Sequence, residues 1–166
     1  MGVGRAYSAT LAKDLVRVEV DGVSYGLEVA RIREIVNPLP IIELPRERSF
    51  VLGVADYRED VVPIVDLRGF FGLPPAAPSR RTKWIILDAG ERLVGVVVDA
   101  VLDVFSSEVH RERHVPVLDG RHLERGITTA YRHDDSLVFL LDAARLIEPA
   151  MRIPAEDLSY LPPGAP

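Results

Sequence analysis

The stretch Tyr25-Gly26-Leu27-Glu28-Val29-Ala30-Arg31-Ile32-Arg33-Glu34-Ile35-Val36 decides the reading of this chain, because it is echoed further on. The echo is Val94-Gly95-Val96-Val97-Val98-Asp99-Ala100-Val101-Leu102-Asp103-Val104-Phe105. A glycine, four apolar positions (Leu27/Val96, Val29/Val98, Ile32/Val101, Ile35/Val104) and one acid (Glu34/Asp103) coincide. A second pair follows in the same order: Val62-Pro63-Ile64-Val65-Asp66-Leu67-Arg68 and Val138-Phe139-Leu140-Leu141-Asp142-Ala143-Ala144. Two similar units packed side by side account for both echoes, and such a pair leaves a groove between them.

Around these repeats the chain reads as short strands and tight turns. Val16, Val18 and Val20 alternate with Arg17 and Glu19, and Val23, Tyr25, Leu27 and Val29 alternate after Asp21-Gly22. An Asp-Gly pair between alternating runs signals a two-residue hairpin. Ala30 to Val36 is expected to be a short helix stopped by Pro38. Phe50 to Tyr57 and Val61 to Val65 form a second hairpin through Arg58-Glu59-Asp60, with Pro63 at an edge or bulge. Asp66 is placed to cap a helix over Leu67 to Phe71, and Asp142 to cap one that runs through Ile147 and ends near Pro149. Trp84 to Leu87 with Leu93 to Val98, and Ile127 to Tyr131 with Leu137 to Leu141, complete the hairpins. The proline-bearing tail reads as extended and loosely held. The fold class is mainly β, barrels or sandwiches with few short helices.

Composition narrows the function classes. The chain has 166 residues, a net charge of −5 and no cysteine. Disulfides, thiolate metal sites and cysteine nucleophiles are excluded. An acidic surface with 7% aromatic residues disfavours a nucleic-acid-binding barrel, which needs a basic groove lined with stacking rings. No apolar run approaches a membrane span, so no membrane insertion is expected.

The residues also carry a resemblance. Tyr25-Gly26-Leu27-Glu28-Val29 with Ile32-Arg33-Glu34-Ile35, then Gly53-Val54-Ala55-Asp56-Tyr57-Arg58, then Val61 to Arg68, then Gly95 to Asp99 with Val101, Asp103 and Val104, together resemble the CheW-like domain. The match covers residues 13–150. It implies two five-stranded, SH3-like barrels, intertwined around a shared core and divided near 73–82, with residues 1–12 and 151–166 as flexible termini. It further implies a cytoplasmic, non-catalytic adaptor without cofactors, recruited to receptor arrays. Its implied partners are the cytoplasmic tip of a methyl-accepting chemoreceptor, held in the groove, and the regulatory domain of a CheA-type histidine kinase. Carried over by position, the partner-binding candidates are Ile32, Glu34, Gly53, Val54, Asp56, Tyr57 and Arg58. The family often writes Asn-Leu-Arg-Gly where this chain has Asp56-Tyr57-Arg58-Glu59. Loss of that glycine forces a different turn or a strained one. A divergent adaptor with lost or altered kinase binding is therefore the alternative, ahead of a nucleic-acid-binding barrel.

Each candidate has a plainer reading. Arg58 could pair with Asp56 or Glu59 as a surface charge. Ile32 and Ile35 are expected to be core residues, with Ile32 also at the groove. Tyr57 is either an interface anchor or a hairpin residue held by a cross-strand neighbour. His110 and His114 are spaced for one helical face, but Arg111 and Arg113 flank them and Glu112 is misplaced for a His-Glu-x-x-His metal site. No serine carries a nucleophile elbow.

Overall fold

The structure is a computed structural model that describes residues 13–45, 50–107, 112–113 and 125–159. Eleven strands are described: β1 Asp14–Val20, β2 Val23–Glu28, β3 Ile32–Val36, β4 Val51–Tyr57, β5 Asp60–Asp66, β6 Lys83–Asp88, β7 Leu93–Val98, β8 Ala100–Ser106, β9 Glu112–Arg113, β10 Ile127–His133 and β11 Ser136–Leu141. The helices are α1 Leu67–Phe70, α2 Ala143–Met151 and α3 Ala155–Ser159, with a 3-10 turn at Val29–Arg31.

Two sheets result. One has the order β3-β6-β7-β5-β4; the other has the order β8-β1-β2-β11-β10-β9, its sixth strand being the two-residue β9. The echoed segments pair across the repeats. Gly26 of β2 lies beside Leu140 of β11, and Gly95 of β7 lies beside Ile64 of β5, both in parallel register. Each repeat thus lends its first hairpin to the other repeat's sheet. The chain crosses between sheets at 29–31 and at Asp99, whereas the 73–82 loop joins β5–α1 to β6 within one sheet. The 73–82 loop therefore separates the two sequence repeats, while the barrels that they build are interleaved.

Alternation along the strands separates three cores. Trp84 and Ile86 join Ala55, Tyr57, Val62 and Ile64 inside the first barrel. Leu15, Phe105, Tyr131, Val138 and Leu140 fill the second. Ile85, Leu87, Val94, Val96 and Val98 face the other way, into a shared core with Val16, Val18, Tyr25, Leu27 and Leu146. This is the mainly β architecture of two SH3-like barrels around a common core.

Several local expectations change. Ala30 to Val36 is not a helix: after the 3-10 turn, Ile32–Val36 extends and pairs with β6 through Ile35↔Ile85 and Val36↔Trp84. β-Branched residues suit a pleated edge, and the pairing decides the ambiguity. Pro149 does not end α2, which continues to Met151 because Ala150 and then Ile153 are buried. Residues 151–159 are not a loose tail. Arg92 donates to the carbonyls of Ala150 and Ile153 at 3.1 and 2.8 Å, and α3 follows. Pro63 lies in an inner strand, immediately before the parallel pairing of β5 with β7 begins at Ile64. Both expected caps form: Asp66 accepts from Arg68 N–H at 3.2 Å and Asp142 from Ala144 N–H at 3.0 Å.

Candidate partner-binding site

Strands β3 and β4 are the two ends of the first sheet's order, and their side chains meet. The Tyr57 hydroxyl, at the end of β4, donates to Glu34 Oε1 on β3. Arg58 Nη2 donates to the same oxygen at 2.8 Å, and Arg58 Nε lies 3.1 Å from the Tyr57 hydroxyl. The Arg58 guanidinium also sits 5.4 Å from the centre of the Tyr57 ring. Backbone pairing closes the same edge further along, where Ile42 and Val54 exchange hydrogen bonds of 2.7 and 2.8 Å. The three side chains therefore clasp the barrel.

The clasp has a buried half and an open half. Tyr57 is buried, whereas the side chains of Arg58 and Glu34 are 68% and 37% exposed. The Tyr57 hydroxyl, and then the Arg58 guanidinium, hold the Glu34 carboxyl below the usual carboxylate range. In turn, Glu34 first and then the Tyr57 hydroxyl hold the Arg58 guanidinium above its ordinary value, so it stays charged. Arg58 occupies the turn with φ of +54°, so the strain falls on the arginine rather than on Glu59. The turn has two residues, since Asp60 already belongs to β5. Arg58 thus pairs with Glu34 across the barrel, not with Asp56 or Glu59.

The remaining candidates lie elsewhere. Gly53 and Val54 are buried on β4 opposite Ile42. A Cβ on Gly53 would come within 2.4 Å of the Ile42 carbonyl oxygen, and its φ is +148°, so only glycine fits this bulge. Asp56 is exposed on the outer face of β4. Ile32 packs half-buried against the shared core, as Val101 does from β8. Ile35 is not a core residue; it is 37% exposed, and its echo Val104 is 63% exposed.

The other barrel repeats the clasp with different residues. Asp103, the echo of Glu34, takes two bonds from Arg17 at 3.0 and 2.8 Å and lies 3.3 Å from His133 Nε2. His133 ends β10 as Tyr57 ends β4, and its ring stacks on Phe105 at 4.4 Å. Burial works to raise the Asp103 carboxyl, but the hydrogen bonds and charges of Arg17 and His133 bring it below its ordinary value. Asp103, His133 and Asp134 also group as possible metal ligands. A guanidinium already engages both Asp103 oxygens, which is where a cation would have to bind. The echo pairs Glu34 with Asp103, whereas nothing in the sequence marks Arg17 or His133. Residues 110 and 114, with their histidines, lie outside the described residues. Among the described residues no helix is long and apolar enough to cross a membrane.

Comparisons with known proteins agree with this architecture. The CheW-like domain profile matches residues 14–151. The chemotaxis protein CheW of Klebsiella aerogenes is 26% identical over 145 residues, covering 87% of each chain. Protein FrzA of Myxococcus xanthus is 31% identical over 94 residues, covering 57% of this chain and 54% of that protein. The crystal structure of the scaffolding protein TtCheW from Thermoanaerobacter tengcongensis superposes with a TM-score of 0.68 at 22% identity, covering 80% of this chain and 85% of that one. The fold and the span of the match lead to one conclusion: this chain belongs to the CheW-like domain family and is a non-catalytic adaptor of the chemotaxis type.

Proposed function

We propose that this chain couples methyl-accepting chemoreceptors to a CheA-type histidine kinase in the cytoplasm. The observation that carries the reading is the clasp. Glu34 and Arg58, assigned separately to partner contact by resemblance, form one exposed ion pair at the barrel seam. Arginine beside aromatic surface is a frequent interface anchor. Ile35 on β3 and Val104 on β8 add exposed apolar residues at equivalent places in the two barrels, which suits a receptor helix laid between them. Tyr57 anchors the clasp from inside, Gly53 and Val54 lie buried on the same strand, Asp56 is exposed beside it, and Ile32 packs half-buried against the shared core. The adaptor transmits a signal by binding the receptor's signalling states with different free energies.

Separate pull-downs against the receptors and the kinase of the same cell test the proposal. Capture of both supports coupling. Capture of receptor alone assigns the altered Asp56-Tyr57-Arg58-Glu59 turn to lost kinase contact. Capture of neither overturns the reading.

A further inference from the structure

Phe50 stands where the chain's other repeat has glycine. Gly126 precedes β10 with φ of +72°, and Phe50 precedes β4 with φ of +65°. The hydrogen bonds fix the equivalence. Asp142 N–H donates to the Gly126 carbonyl at 2.8 Å, and Asp66 N–H donates to the Phe50 carbonyl at 2.7 Å. Both aspartates then cap the helix that follows. Glycine enters this region freely, while a bulky residue there is a steric outlier. The ring that accompanies the strain is not hidden in a core: Phe50 is 42% exposed. Strain retained at an exposed aromatic points to use of that ring.

Phe50 forms the rim of a cavity of about 510 Å³. Phe70, Phe71 and Leu73 line it, and Phe50 meets the Phe70 ring edge-on at 5.8 Å. Arg125 closes one side. Its guanidinium lies 5.1 Å from the centre of the Phe71 ring and makes a long 3.4 Å contact to the Tyr25 hydroxyl. No carboxylate among the described residues pairs with Arg125. Among the described residues the cavity thus offers aromatic walls and a guanidinium that no carboxylate pairs, complementary to an apolar group that carries a negative charge.

We propose that this cavity docks a segment of a partner protein bearing an aromatic or leucine side chain beside a carboxylate. A protein segment fits better than a small molecule, because the rim ring stands in solvent whereas small ligands are mostly enclosed. Aromatic and arginine anchors are also the composition of interface hot spots. The site is separate from the Glu34–Arg58 clasp and stands whether or not the coupling proposal does.

The test uses the full chain and a phage-displayed random heptapeptide library, followed by fluorescence anisotropy with the enriched peptide. The enriched sequences should place Phe, Tyr, Trp or Leu next to Asp or Glu. Phe50→Gly, which installs the residue of the other repeat, should melt cooperatively and bind the peptide at least about tenfold more weakly. Arg125→Met keeps an apolar stem over Phe71 and should bind equally weakly. Replacing the peptide carboxylate by its amide should weaken binding to the wild-type chain but not further weaken binding to Arg125→Met. Peptides without a carboxylate, or undiminished binding by Arg125→Met, would overturn the proposal. So would full competition by free 3-phenylpropanoate at the peptide's own affinity, which would make this a small-molecule pocket. If Phe50→Gly fails to fold, the ring is kept for structure and the docking claim rests on the Arg125→Met and amide results.

Discussion

Glu34 and Arg58 belong to opposite ends of a five-strand order, yet the guanidinium donates to Glu34 Oε1 at 2.8 Å, so their contact closes a barrel. A surface ion pair in isolation contributes little to stability. Here the acceptor oxygen is shared with a buried tyrosine, which fixes its position before any partner arrives. The pair is therefore better understood as a preorganised surface than as a stabilising bond.

The tyrosine has the larger effect on the acid. Tyr57→Phe should raise the Glu34 pKa toward its ordinary value by more than Arg58→Gln does, because the hydroxyl is the first cause of the lowering. The sign for stability follows. A carboxyl lowered by folding adds stability at neutral pH and loses it as pH falls through the folded value. Acid should thus loosen the clasp only below the usual carboxylate range. Carboxyl-carbon NMR titration of the wild type and both variants checks the order.

The echoed glycines are explained by interior space, and substitution should rank them. A Cβ on Gly95 would lie 2.7 Å from Ile64 Cδ1, and one on Gly26 would lie 3.3 Å from Val138 Cγ1. Gly95→Ala should cost about 1–3 kcal/mol by overpacking, and Gly26→Ala less. Gly53→Ala should cost most, since the neighbour is the Ile42 carbonyl oxygen at 2.4 Å and backbone cannot rotate away. Urea unfolding of the three variants gives the order, and a Gly53→Ala change smaller than that of Gly26→Ala would contradict it.

What the sequence disclosed was local. Asp21-Gly22 announced its turn, and both residues have positive φ, +52° and +76°. Asp66 and Asp142 announced their caps because a cap needs only the next two residues. The repeat was visible too, including the alignment of Glu34 with Asp103. Strand β3 is ambiguous in the sequence because Ile32, Ile35 and Val36 suit a helix face as well as an edge strand. The choice is made by β6, far along the chain. The core place expected for Ile35 belongs to the helical alternative, and the strand leaves it exposed. The clasp was invisible as a unit for a related reason: Glu34 meets Tyr57 only once the sheet has curled. The exchange of hairpins between repeats also follows from three-dimensional pairing, which the 73–82 loop composition does not encode.

The second clasp provides a control for the first. Asp103→Asn removes the charged acceptor shared by Arg17 and His133. The loss in stability should be below about 1 kcal/mol, because the side chain is one-third exposed and solvent screens it. The Asp103 carboxyl is also held below its ordinary value, so the variant's deficit should vanish as the medium is acidified through that group's folded value. Capture of partners should be unchanged. A loss of capture equal to that of Glu34→Gln would mean that general barrel integrity, not the Glu34 surface, governs binding.

Charge exchange separates a partner contact from a purely structural clasp. Glu34→Arg alone and Arg58→Glu alone each place like charges together at the seam, so both should lower the melting midpoint and reduce co-sedimentation with receptor arrays. The double variant restores an attractive pair, and the Tyr57 hydroxyl can accept from an arginine at position 34 as it now donates to the glutamate. The midpoint should therefore recover most of the way. Co-sedimentation should not recover, because the partner's own charges are arranged for a negative β3 and a positive turn, and reversed charges across an interface repel. Recovery of both together would reduce the clasp to a structural device and move the partner surface to the exposed apolar residues Ile35 and Val104.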